Sequence, residues 1–227
     1  MPSRFAHVPG RPRNDECQDA YLILINAHDA ASSFLDIFTT IRRNRHAKGT
    51  PTDEEQDLLR AMLVFSTAGL DSMVKQLVRD ALPNVINKDT GATEQFKRHI
   101  ERRITKIEGI DRRFLADILG DPNPRTRLLD QLVSDLTGGS LQSTEQLSRV
   151  AAFFNIPSNR IYDDTQHLSE IFSTRNQIAH EMDIDFSQTN RSRRPRARRT
   201  MIQFTNDIFG VSSNFLSQVD SKLDAPL

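Results

Sequence analysis

The sequence predicts an all-α fold, a helical bundle in one enlarged domain. Leu, Ala, Asp, Glu and Arg dominate its 227 residues, with no Trp, 9 Gly and 10 Pro, which favours helices over sheets. Apolar residues recur at three- and four-residue steps, the spacing that gathers side chains into one stripe of a helix. Capping residues and breakers stand between those stretches.

Residues 1–18 hold no apolar run suited to a signal peptide or a bilayer span and are expected as a mobile arm. Arg4, Arg11 and Arg13 in it are more simply solvated than bound to phosphate. Residues 19–227 form the expected helical domain. Over about 20–43, Leu24, Ala27, Ala31, Phe34, Leu35 and Phe38 make a stripe, and Arg42, Arg43 and Arg45 close the last turn, where cations complement the helix dipole. His28 and Asp29 are expected as a satisfied or exposed pair. Thr52 and Glu55 have the spacing of a capping box for a second helix, the longest in the chain, that ends before Pro83. Leu59, Met62, Leu63, Leu70, Met73, Val74 and Leu77 line its inner face. Ser66 and Gly69 in mid-stripe would let another helix come close.

The block at about 84–160 reads as shorter helices inserted into a simpler bundle. They are expected at about 93–107, at 111–119 with Gly120 as C-cap, from Pro124 to the Gly138-Gly139 pair, and from the Ser143 cap to about 154. The basic run Lys97, Arg98, His99, Arg102 and Arg103, with Glu94 and Glu101 nearby, is expected on a solvated face. A last helix over about 199–223 packs Phe204, Ile208, Val211, Phe215 and Val219.

A formal net charge of zero gives no global attraction to nucleic acid or membrane, so a polyanion site requires a local concentration of arginine. The single Cys17 forms no internal disulfide and fits a reducing, cytoplasmic setting. Neither a CxxC nor a Cys/His zinc spacing is present, and no metal or cofactor is expected.

The chemistry concentrates in the penultimate helix, in the stretch Arg175-Asn176-Gln177-Ile178-Ala179-His180-Glu181. Leu168, Ile171, Phe172, Ile178, Ala179 and Met182 form an apolar stripe, and Arg175 lies in it. A guanidinium cannot shed its charge, so at such a position it is paired or borders a wet cleft. Asn176 and His180, four residues apart, stack on one edge beside it. Asp71 is the candidate carboxylate partner. A second Arg/His match, Arg160 to His167, begins in a loop and reads as a decoy. Ser169 and Ser173 are expected as filler. Beyond the motif, six arginines crowd nine residues: Arg191, Arg193, Arg194, Arg196, Arg198 and Arg199. Bunched cations repel unless an anion is near, so these are the candidate RNA-phosphate contacts, against the simpler reading of a disordered surface loop.

The segment IFSTRNQIAHEMD, with its arginine, polar Asn and histidine, resembles the HEPN superfamily of nucleotide-binding domains. The resemblance implies an elaborated HEPN-like helical bundle. It implies a homodimer in which paired Arg/His motifs line a cleft between protomers. It further implies a metal-independent ribonuclease of the toxin–antitoxin or phage-defence kind, with an antitoxin protein as a partner and Arg175, Asn176 and His180 as catalytic residues. Some members only bind nucleotides or partners, and that is the alternative function. The chemistry suits these residues. RNA supplies its own nucleophile, the 2′-OH, and imidazole changes charge near neutral pH. Arginine offers a fork of donors to the phosphate oxygens where charge develops.

Overall fold

The computed structural model describes residues 5, 10–106 and 109–224, and Arg4 lies outside them. The described chain is all-helical: α1 (Gln18–Asn44), α2 (Asp53–Asp80), α3 (Leu82–Lys88), α4 (Thr90–Ile104), α5 (Arg112–Leu119), α6 (Pro124–Thr137), α7 (Thr144–Phe153), α8 (Thr165–Glu181) and α9 (Arg198–Leu223). Short 3-10 turns at Asp15–Cys17 and Ser158–Arg160 and a two-residue antiparallel ladder, Thr105–Lys106 on Gly109–Ile110, complete it.

α2 is the axis, packed against α1, α3, α6, α8 and α9. Its start is fixed by the Thr52 capping box, in which the Thr52 hydroxyl accepts from the Glu55 amide and Glu55 accepts from the Thr52 amide. Leu59, Met62, Leu63, Leu70, Met73, Val74 and Leu77 are all fully buried, each contributing on the order of 1.5–3 kcal/mol of hydrophobic free energy. Gly69 is where α1 comes close, because a Cβ there would stand 2.3 Å from the Ala27 Cβ. The helix yields before Pro83, as expected. The chain then restarts at once, since Pro83 fits the first turn of α3, a helix the sequence reading passed over.

The buried residues form one continuous core. The block 84–160 contributes Phe96, Leu132, Leu136, Phe153 and Phe154 to it. The arm expected to be mobile is instead docked over its described part. Phe5 is buried against the Phe209 ring, and the Asp220 carboxylate accepts from the Arg13 and Asn14 amides and the Asn14 side chain. Those bonds satisfy backbone donors that a free arm would leave to water. His28 is buried between the Phe5 and Phe209 rings, with its Nδ1 3.8 Å from the exposed Asp29 carboxylate. Among the described residues no helix is long and apolar enough to cross a membrane.

Candidate functional site

α8 begins at Asp164, whose carboxylate caps the His167 amide at 2.9 Å, and buries Leu168, Ile171, Phe172 and Ile178. Ala179 and Met182, expected in that stripe, are exposed. The helix is breaking up there: Met182 and Asp183 both take left-handed backbone conformations, with φ of 53° and 62°. Two successive non-glycine residues in that region cost about 1–2 kcal/mol each, so something must hold them. The turn drives Asp183 beneath the helix end, where it is fully buried. Its carboxylate accepts from Arg60 Nε at 2.7 Å and from Arg196, and its carbonyl accepts from the Arg194 amide. Arg196 also donates to the Gln177 side chain at 2.8 Å. A buried carboxylate clamped by two guanidiniums thus fixes the C-terminal end of α8.

One turn back stands the motif. Arg175 Nη1 donates to Asn176 Oδ1 at 3.0 Å and meets His180 Nε2 at 3.4 Å. A guanidinium has no acceptor, so His180 presents the Nε2 lone pair to it. Asn176 and His180 are exposed and Arg175 is half-buried. Asp71 is close enough to act on Arg175 electrostatically, but its oxygens are spent on Lys75 Nζ at 2.8 Å and the Leu141 amide at 2.6 Å. The expected Asp71 ion pair is therefore absent. Among the described residues Arg175 has no carboxylate within ion-pair distance, and its buried Nε has no partner. Burial pushes this guanidinium below the ordinary arginine value, with Asp71 opposing. Arg175 is thus partly desolvated, unneutralised, and in contact with an exposed histidine.

Asn176 also lines a polar cleft of about 330 Å³, with Gln142, Thr144, Ser169, Ser173 and Gln177 among its walls. Ser169 and Ser173, read as filler, thus line the groove beside the motif. The decoy behaves as one. Arg160 sits in a 3-10 turn, while His167 Nε2 binds Asp207 at 2.8 Å, so the two do not meet.

The basic segment requires a correction. Arg193 is paired with Asp57, Arg194 with Glu181, and Arg196 with Asp183, so for these three the neutralising anions are the protein's own carboxylates. The segment is pinned rather than a disordered loop. Arg191, Arg198 and Arg199 are exposed and remain open to phosphate. Sequence reasoning missed Arg60 and Asp183, although a signal was present. Arg60 lies in the apolar stripe of α2 just as Arg175 lies in that of α8, and the same rule about buried charge demanded a carboxylate. The contribution of Gln142 and Thr144 left no sequence signal, because it depends on how α7 is docked. Comparison with protein-family models, curated proteins and solved structures returns no match.

Proposed function

We propose that the chain is a metal-independent endoribonuclease of the HEPN type, of the toxin–antitoxin or phage-defence kind, acting as a homodimer on RNA. The observation that carries this reading is the contact of Arg175, a half-buried cation with no ion-pair partner among the described residues, with the exposed imidazole of His180. Arg175 has donors to spare for phosphate oxygens, and Asn176 fixes the orientation of its fork. In the reaction, one imidazole takes the proton from the 2′-OH and the 2′-oxygen attacks phosphorus. The P–O5′ bond breaks as a second acid protonates O5′, leaving a 2′,3′-cyclic phosphate and a 5′-hydroxyl. Arg175 supports the charge that builds on the phosphorane oxygens.

One motif offers one imidazole, and a second copy would supply the other. Met182 and Phe186, 65% and 58% exposed directly after His180, are apolar surface that a second subunit would cover. Cys17 is buried, and burial together with Asp220, Glu16, Asp80 and Asp224 pushes its thiol up to about 12. A thiol so protonated is inert at neutral pH.

The test is incubation of a single-stranded RNA with the wild-type protein in EDTA, with end-group analysis of the products. Cleavage leaving 2′,3′-cyclic phosphates, lost in His180→Ala while light scattering still reports a dimer, is the expected result. RNA bound but left intact by the wild type would reduce the site to a binding module.

A further inference from the structure

A second cleft, between α4, α6 and α7, collects arginines that have no ion-pair partner among the described residues. Its volume is about 440 Å³, and its walls include His99, Arg102 and Arg103 of α4, Asp135 of α6, and Arg149 and Phe153 of α7. The basic run on α4 is therefore not wholly on a solvated face. His99 is buried, edge-on to the Phe153 ring at 5.8 Å, with Nε2 3.7 Å from Asp135. Burial pushes the His99 imidazole below its ordinary value; Asp135 opposes this, and Arg103, Arg102 and Arg149 reinforce it.

Arg102 Nε donates to the Arg98 carbonyl at 3.2 Å, and Arg103 lies over the Phe114 ring at 5.5 Å. Among the described residues no carboxylate reaches ion-pair distance of Arg102, Arg103 or Arg149. Among the described residues, three fixed positive charges thus line this cleft with a single carboxylate, in a protein whose formal net charge is zero. The C-terminal dipole of α4 accounts for Arg102 and Arg103 but not for Arg149, in the middle of α7. Like charges around one cavity repel each other, and an anion between them relieves that repulsion.

We propose that this cleft binds the phosphate groups of a small soluble ligand of the diphosphate or nucleoside-phosphate class. Guanidinium forks bind phosphate oxygens in pairs, and the cleft is of a size that takes small ligands. Phe153, only 4% exposed, offers no open face for a base, so recognition rests on the phosphates. The site is independent of the Arg175 motif.

Calorimetric titration with pyrophosphate, and separately with an RNA oligonucleotide lacking a terminal phosphate, tests the assignment. Pyrophosphate is expected to bind the wild type and Arg175→Ala equally. Removing exposed side chains in Arg102→Ala/Arg149→Ala should weaken it by about tenfold or more for each arginine while the thermal midpoint holds. Asp135→Asn should tighten it, which a merely structural aspartate would not do. No heat at millimolar pyrophosphate, unchanged affinity in the double variant, or binding confined to the RNA would each overturn the proposal.

Discussion

Arg60 and Arg175 pose the same physical problem and meet opposite solutions. Each places a permanent charge in the apolar stripe of a long helix. Arg60 is sealed against Asp183, which is fully buried and also holds Arg196. Among the described residues Arg175 has no carboxylate in reach and its Nε has no partner; it touches an amide and an imidazole. The first arrangement anchors the end of α8, and the second sits one turn away on the scaffold so anchored. The difference teaches that availability, not density, of arginine marks a candidate anion site. Half of the arginines in the densest segment, Arg193, Arg194 and Arg196, are neutralised by Asp57, Glu181 and Asp183, whereas Arg175 has no ion pair among the described residues.

The comparison breaks most visibly at Asp183. Asp183→Asn leaves Arg196 without its counter-charge and Arg60 with Asp57 alone, and should cost on the order of 3–5 kcal/mol, read from the midpoint of urea unfolding. The same measurement on Arg175→Met should show no loss, or a gain, because removing an uncompensated charge relieves desolvation. A fall of more than about 1 kcal/mol there would mean that Arg175 is structurally paired after all.

Gly69→Ala probes the helix pair that carries the scaffold. The added methyl meets the Ala27 Cβ, which cannot swing aside, so overpacking of about 1–3 kcal/mol outweighs the roughly 1 kcal/mol gained in helix propensity. Restoring stability with Ala27→Gly in the same chain would identify the clash as the cause.

Acid offers a smaller test. Burial alone would raise the Glu55 carboxyl, but the Thr52 amide and the Arg42 and Arg45 guanidiniums outweigh it and hold it below the ordinary value of 4.5. A depressed folded value means that the Glu55 contribution is fully present above that ordinary value and is lost as pH falls through the folded one. Unfolding midpoints measured across this range should decline less steeply in Glu55→Gln than in the wild type. Smallest of all, Arg193→Ala removes a partly exposed pair with Asp57 and should shift stability by less than about 1 kcal/mol.

Much of the fold was legible because helices declare themselves locally. The three-to-four spacing gave α1, α2 and α9 nearly to the residue, and Thr52 and Ser143 marked two helix starts. α3 was missed because Pro83 both ends one helix and begins the next. The docked arm was missed because its anchor, Asp220, lies more than 200 residues away. At the site, the Arg175, Asn176 and His180 edge followed from helical periodicity alone. The fate of the basic segment did not, since whether an arginine is free depends on which carboxylates the fold carries to it. The stripe on α8 was overextended at Ala179 and Met182, because periodicity continues past the point where the backbone turns left-handed to bury Asp183.

The proposed cleavage rests with Arg175, which touches an imidazole, and not with an ion-paired arginine such as Arg193. It is tested most directly by cleavage of one labelled RNA in EDTA by the wild type, Arg175→Ala and Arg193→Ala at matched folded concentration. The account predicts equal cleavage by the wild type and Arg193→Ala and none by Arg175→Ala. Cleavage retained in Arg175→Ala, or lost in Arg193→Ala alone, would contradict it.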